Sequence, residues 1–279
     1  MAISPLRSKA LRHGRSLSFP SKLNPTTSHF EENLSIVKGS EALCSSFSSM
    51  KNRVNGLKNL YNNIDDLLLL PHIQQIISLE CESKWVHQVS DGYIRLLDVS
   101  VTAKDLFSQT KHDLQELLST LRRKDMDGIR GYLNSRRKSK KIIQKYLKTL
   151  KTLRSKNNVA TLKKDEEIMA VVYMLKEAES VTAVLIESLL SFLNGSRVEN
   201  GWSLVSKLMN TKKVSNHDLN EFEKMDALLQ MNLEDVQVEE IMSHLKEMES
   251  KIQNLEDELE CLFRQLIKTR VSLLNVLNH

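Results

Sequence analysis

The fold is decided by residues 238–279, VEEIMSHLKEMESKIQNLEDELECLFRQLIKTRVSLLNVLNH. Apolar residues recur here at alternating steps of three and four, which is the a/d spacing of a long packed helix. They are Val238, Ile241, Leu245, Met248, Ile252, Leu255, Leu259, Leu262 and Leu266. Such a seam needs a partner surface, which is either the rest of the chain or a second copy. Met242, Phe263 and Leu277 widen the apolar stripe, so we expect the seam to pack mainly inside a monomer.

The composition of the whole chain also favours helices. The 279 residues are 41% hydrophobic but only 5% aromatic, with 8 Gly and 4 Pro. Sheet proteins need more aromatic, β-branched and turn residues than this, so the composition favours long Leu-rich helices. We predict an all-α protein, an antiparallel bundle of long amphipathic helices with a coiled-coil-like C-terminal helix. A disordered Ser/Pro/Arg-rich tail is predicted over residues 1–50, and a single helical domain over residues 51–279.

The predicted tail contains a candidate phosphorylation site, Arg15-Ser16-Leu17-Ser18-Phe19-Pro20. Ser18 has a basic residue, Arg15, three positions before it and Pro20 two positions after it. This is the form that 14-3-3 proteins bind when the serine is phosphorylated. Ser16 is the competing acceptor, and a chance match in a Ser/Arg-rich segment is the alternative.

Further helices follow from the apolar spacing. One begins at Leu57 and stops at Pro71, a second spans Tyr93 to Arg123, and a third runs from about Asp165 to Leu193 with Asn194-Gly195 as its C-cap. The adjacent carboxylates Asp65 and Asp66 point about 100° apart on a helix and lack a nearby nucleophile or base. We therefore predict a solvated or capping role for both, and no catalytic residue.

A strongly basic stretch is the main candidate binding site. From Gly128 to Lys164 there are thirteen Lys or Arg residues and no acid. The candidate anion-binding residues are Arg136, Arg137, Lys138, Lys140, Lys141, Lys145, Lys148, Lys151 and Arg154. A basic amphipathic helix of this kind suits an anionic membrane surface, an acidic partner or nucleic acid, and its densest run also resembles a nuclear localisation signal.

An intramolecular partner for this stretch is also available. Residues 218–260 hold fourteen Asp or Glu against three Lys, so the two stretches could face each other within the fold or across a dimer. A solvated face is the remaining alternative. Nucleic acid is the weakest reading, because the formal net charge is only +5 and aromatic residues do not form a stacking platform among the basic ones.

Several classes of function lack sequence support. The three cysteines, Cys44, Cys81 and Cys261, form no CxxC pair, which predicts neither a disulfide framework nor a zinc site and favours a reducing compartment. No metal, cofactor or small-molecule substrate is predicted, because Gly-rich phosphate loops and nucleophile motifs are missing. No apolar run reaches the roughly 20 residues that span a bilayer. We expect a cytoplasmic protein, with the nucleus, the cytoplasmic face of a membrane or organelle import as alternatives.

Four strings of sequence carry a family resemblance. They are Leu60-Tyr61 with Asp65 to Leu68 and Pro71, Trp85-Val86 with Leu96 to Val99, Trp202 to Met209, and Leu259 to Arg264 running into Ile267 to Asn275. Together with the tail motif they resemble the land-plant family called domain of unknown function 241, which is grouped with the BYPASS-type developmental proteins. The resemblance implies a plant protein with a part in root and shoot development. It implies no reaction, cofactor or catalytic residue.

These observations lead to two functional expectations. The first is a non-enzymatic interaction or regulatory protein in root and shoot development. The second is a peripheral membrane protein that docks through the basic helix at residues 136–154.

Overall fold

The protein is seen in a computed structural model, which describes residues 23–39, 47–80, 82–155, 166–195, 221–230 and 235–278. This part of the chain forms eight helices and no strand, which confirms the all-α prediction. The helices are α1 (Leu23–Gly39), α2 (Phe47–Leu68), α3 (Pro71–Ser78), α4 (Lys84–Arg122), α5 (Met126–Ser155), α6 (Glu166–Asn194), α7 (Glu221–Leu228) and α8 (Asp235–Leu277).

Four long helices enclose the core. Helix α8 packs against α4 and α2, and α6 packs against the same two helices from the opposite corner. Helix α5 lies outside this ring on α4 and α6, while α1 lies on α2 and α6. Helix α5 is therefore a peripheral element with a large outer surface.

Contacts between the long helices fix their directions. Between α4 and α8, Lys111 Nζ lies 2.6 Å from Glu256 Oε2, and Gln115 donates to Glu249 over 2.7 Å. The residue numbers rise on one helix as they fall on the other, so this pair is antiparallel. Helix α2 runs antiparallel to α6, since Arg53 contacts Ser188 and Tyr61 contacts Thr182. Consecutive long helices alternate in direction, as predicted.

The a/d seam of residues 238–279 is buried inside this bundle. Eight of its nine predicted core positions are at most 3% exposed, and Val238 is partly buried against the core. The surfaces that cover the seam belong to α4, α2 and α3 of the same chain. The prediction of a packed helix over this stretch is confirmed, and its partner surface is intramolecular in the structure.

One segment of the predicted tail is ordered in the structure, whereas residues 1–22 and 40–46 lie outside the described residues. Leu23–Gly39 is helical rather than disordered, and Phe30, Leu34 and Val37 are buried on one face of it. Val37 fits against α2 at Gly56, where a Cβ would lie only 2.7 Å from the valine Cγ2. Burial of these three apolar side chains offsets the cost of ordering a segment that is otherwise rich in polar residues. Helix α2 likewise begins ten residues before the predicted Leu57.

Helix α4 also begins earlier than predicted. The sequence predicts a start at Tyr93, directly after Asp91-Gly92, but α4 is continuous from Lys84 to Arg122. Gly92 is buried at the crossing with α6, where a side chain would collide with the carboxylate of Glu179. A side chain at this position would have to displace that carboxylate, and Gly92 does not end α4. The predicted C-cap of α6 is confirmed, because Gly195 has a left-handed φ of 83°.

The prediction for Asp65 was wrong, whereas Asp66 is exposed as predicted. The Asp65 carboxylate is 3% exposed and faces α8, where it accepts hydrogen bonds from Thr269 Oγ1 (2.6 Å) and Gln265 Nε2 (2.9 Å). Lys268 Nζ lies 3.0 Å away. Asp65 is therefore a buried polar link between two parallel helices. The sequence pattern missed it because its partners are two hundred residues away.

A second buried carboxylate gives the fold a pH dependence. Burial raises the pKa of Glu179 above its ordinary value, and the ammonium of Lys176, 3.0 Å away, opposes this only partly. The folded chain thus holds this proton more tightly than the unfolded chain. The stabilisation is fully present below the unfolded pKa of about 4.3 and is lost as the pH rises through the raised folded pKa.

We expect Glu179→Gln to remove this dependence, because a neutral amide of the same shape carries no desolvation cost for a charge. Urea unfolding at several pH values measures it. Relative to the wild type, the free energy of unfolding of the variant should increase as the pH rises from 4 to 7. A difference that stays constant over this range would contradict the assignment.

Candidate anion-binding surface on helix α5

Helix α5 starts from a defined cap. The Asp125 carboxylate accepts hydrogen bonds from the backbone N–H groups of Asp127 (3.1 Å) and Gly128 (3.2 Å), which is an N-cap. Ser135 then donates to Asp113 of α4 over 2.8 Å. These contacts fix the rotation of α5 about its own axis, and with it the set of side chains that face outward.

One face of α5 packs on the bundle. Ile129, Tyr132, Ile143 and Leu150 are at most 6% exposed and face α4 and α6. The opposite face carries the exposed basic residues, which we call the basic stripe. It consists of Arg130, Arg137, Lys138, Lys141, Lys145 and Lys148.

The geometry of the basic stripe is regular. At 100° and 1.5 Å per residue, its six side chains fall within an arc of about 100° and a length of about 27 Å. The described acid of α5, Asp127, sits in its first turn and lies 3.2 Å from Arg130, in a pair that is largely exposed and therefore weak. The remaining five cations form a line of positive potential directed at solvent.

Two of the predicted binding residues do not face outward. Arg136 is only 3% exposed, with its guanidinium carbon 4.3 Å from the centre of the Phe222 ring and its Nε 3.7 Å from Asp226 Oδ1. Lys140 Nζ is 2.8 Å from Asp226 Oδ2. Assigning Arg136 to an exposed anion-binding surface was therefore wrong, because α7 covers it. Lys151 is exposed beside the stripe, and the side chain of Arg154 lies outside the described residues.

The predicted pairing of the basic stretch with the acidic residues 218–260 is seen, among the described residues, at Asp226. Asp226 of α7 pairs with Arg136 and Lys140 as described above, whereas the α8 acids that pair with another helix do so with α4 and α2. Lys104 of α4 contacts Glu260, and Lys58 of α2 lies 2.5 Å from Glu258. The reason is the topology, since α8 packs on α4 and α2, and α5 packs on α4 and α6. In the described part of residues 218–260, the acids therefore do not neutralise the basic stripe.

Sequence reasoning missed Arg130 as a member of the stripe. The signal was present, because Arg130, Arg137, Lys141 and Lys148 are spaced seven, four and seven apart, which places them on one line of a helix. Density of charge selects residues 136–154 and passes over Arg130, which lies six residues before the densest run. The candidate phosphorylation site, with Arg15, Ser16, Ser18 and Pro20, lies outside the described residues and stays a prediction.

Metal ligands, membrane-spanning helices and cysteines are the other features of the described chain that bear on function. Within the described ranges, no three His, Cys, Asp or Glu side chains come together as metal ligands. Among the helices there, none is both long enough and apolar enough to cross a bilayer. Cys261 is exposed and unpaired, whereas Cys44 and Cys81 lie outside the described residues.

Fold and surface together define an all-α helical-bundle protein with a one-sided basic face. A family model described as Protein BPS1 matches residues 53–276. The chain belongs to this family, the BYPASS-type family of plant developmental regulators, which confirms the resemblance drawn from the sequence. Searches of curated proteins and of solved structures found no match.

Proposed function

We propose that this protein is a non-enzymatic regulator of root and shoot development that acts by binding an acidic protein partner through the basic stripe of α5. The observation that carries the proposal is the stripe itself. Its six basic side chains are exposed on a peripheral helix, and Asp226, which pairs with Arg136 and Lys140, lies on the other side of α5. Apart from Arg130, these cations have no ion pair in the described part of the chain, and a row of like charges on a folded helix costs stability by self-repulsion, which favours a role in binding.

The binding mode follows from the geometry. Exposed cations attract an acidic surface over roughly one Debye length, about 8 Å at physiological ionic strength, and so raise the rate of encounter. Because α5 is held by its packing on α4 and α6, the line along which the stripe residues are attached is fixed relative to the bundle. The complex should weaken as salt is raised.

The test is affinity capture from root and shoot tissue with a charge-neutralised stripe. The variant Arg137→Gln, Lys141→Gln, Lys148→Gln removes three stripe charges that make no contact with the core. A matched control, Lys51→Gln, Lys84→Gln, Lys246→Gln, removes three exposed charges from α2, α4 and α8. We expect the stripe variant to lose acidic partners that the wild type and the control retain. Equal recovery by all three proteins would contradict the proposal.

A peripheral membrane role through the same stripe is the second candidate, and one observation favours it. Ile142 is 45% exposed among Lys138, Lys141 and Lys145, so an apolar side chain is available to enter the interface of a bilayer. Each basic residue near an anionic surface contributes about 1 kcal/mol, so the three-charge stripe variant should lose about 3 kcal/mol of binding.

Flotation with vesicles that contain anionic phospholipid separates the two candidates. If the stripe docks on lipid, the wild type and the matched control float, the stripe variant does not, and Ile142→Gln floats less. If all of these proteins remain unbound while the acidic protein partners are retained in capture, the membrane role is excluded.

A further inference from the structure

Helix α7 is held on the outside of α5 and α6 by a small set of side chains. Phe222 and Met225 are fully buried and Leu229 is 4% exposed, so apolar side chains at steps of three and four enter the bundle. The Phe222 ring meets the Phe192 ring of α6 edge to face at 5.6 Å. This is the arrangement of an amphipathic helix lying in a groove.

The groove contains a charged group that α7 leaves poorly satisfied. Arg136 is 3% exposed, and Nε, Nη1 and Nη2 have no hydrogen-bond partner among the described residues. Its attractive contacts are the face of Phe222 and the carboxylate of Asp226, which at 3.7 Å is beyond hydrogen-bond distance. Burying a guanidinium without hydrogen bonds costs free energy, and such unsatisfied groups are rare in folded proteins.

The Asp226 side chain is too short to hydrogen-bond both Lys140 and Arg136. Asp226 Oδ2 is bound to Lys140 Nζ at 2.8 Å, while Oδ1 stops short of Arg136 and has no hydrogen-bond partner in the described part of the chain. A carboxylate on a side chain one methylene longer could bind Lys140 and Arg136 together. The groove is therefore better matched to glutamate at this position than to the residue that occupies it.

We propose that this groove is a docking site for an acidic amphipathic helix of another protein, and that α7 occupies the site in its absence. The partner helix carries an aromatic residue, an apolar residue three positions later and a glutamate four positions later, matching Phe222, Met225 and Asp226. An eight-residue helix is marginally stable by itself, so the docking of α7 depends on these side chains and on the ion pair between Glu221 and Lys251 of α8, which are 2.8 Å apart. A competing helix can therefore displace it. The site uses buried residues of α5 and not the basic stripe, so it stands or falls independently of the proposed function.

The test measures binding of a labelled peptide to the full-length chain by fluorescence anisotropy. The probe has the sequence of residues 217–232 with Asp226 replaced by Glu. Two chain variants release α7, Asp226→Ala and Phe222→Ser, and one holds it more firmly, Asp226→Glu. We expect the released chains to bind the probe at least about tenfold more tightly than the wild type, and the Asp226→Glu chain to bind it more weakly. Circular dichroism confirms that the bundle remains folded in each case.

Arg136→Met separates docking from a structural role. Methionine fills the same space against Phe222 without orphaned donors, so this change should raise the melting temperature of the chain. Added to Asp226→Ala, it should abolish the gain in peptide affinity. A lowered melting temperature with unchanged peptide affinity would make Arg136 a structural residue and overturn the proposal.

Two further outcomes also decide against the proposal. Equal affinity of the probe for the wild-type, Asp226→Ala and Phe222→Ser chains would show that α7 does not cover a peptide site. Binding of the released chains to anionic vesicles, without any gain in peptide binding, would assign the groove to a lipid surface instead.

Discussion

Leu255→Asp is expected to unfold the whole bundle. Leu255 is 1% exposed at the centre of the α8 seam, where α4 and α2 enclose it. Truncating a buried leucine costs about 2–5 kcal/mol, and burying an unpaired carboxylate adds several more. Because the free energy of unfolding of a typical domain is about 5–15 kcal/mol, the sum removes most or all of it.

Circular dichroism and thermal unfolding measure this result, and the neighbouring residue supplies the control. Asn254 is exposed on the same helix, so Asn254→Asp adds the same charge without burying it and should leave the melting temperature nearly unchanged. A Leu255→Asp variant that is a well-folded monomer, derived from a dimeric parent, would show that the seam serves an interface between two copies and would contradict intramolecular packing.

Asp65→Ala should have the second-largest effect on stability. The substitution leaves the hydroxyl of Thr269, which is fully buried, and the amide of Gln265 without their acceptor on α2. Loss of a buried acceptor costs about 1–3 kcal/mol for each group left unsatisfied, so we expect a loss of about 2–3 kcal/mol in the free energy of unfolding. Urea unfolding followed by circular dichroism measures this difference.

The adjacent Asp66→Ala is the matched control, because Asp66 carries the same group on the exposed side of the same helix. It should change the free energy of unfolding by less than about 0.5 kcal/mol. If both variants lose the same stability, the contribution comes from the local charge of α2 and not from the link to α8.

Helical periodicity predicted the parts of this fold that depend on one segment alone. The a/d spacing placed the α8 seam, and Asn194-Gly195 placed the end of α6, since both signals lie within a few turns of the residues they describe. Helix α1 escaped prediction because its three buried residues are surrounded by polar ones, and its stability comes from contacts with α2 and α6 rather than from its own composition.

The remaining differences arise from contacts between distant parts of the chain. Gly92 interrupts the sequence pattern of α4 but not the helix. Its neighbour in the fold is the carboxylate of Glu179 on α6, which the sequence around Gly92 does not reveal. Asp65 is buried because Thr269 and Gln265 are placed opposite it by the packing of α8. The sequence pattern of one helix carries no information on which polar group of a distant helix will pack against it.

The candidate site also has one feature that the sequence predicted and one that it did not. A basic helix with an exposed face was predictable, since charged residues at helical spacing on a helix with a separate apolar face indicate a solvent-facing stripe. The burial of Arg136 was not, because it depends on a ring and a carboxylate of α7, ninety residues away in sequence. Adjacent residues point about 100° apart on a helix. Once the rotation of α5 is known, Arg136 is placed on its buried face and Arg137 on its exposed face.

A growth rescue assay tests whether the basic stripe of α5 is needed for the proposed role in development. In a plant line whose root or shoot growth is altered by loss of this gene, the wild-type chain and the control Lys51→Gln, Lys84→Gln, Lys246→Gln should restore growth. The variant Arg137→Gln, Lys141→Gln, Lys148→Gln, accumulating to the same level, should fail to restore it. Full restoration of growth by the stripe variant would show that the basic stripe is not needed for this role.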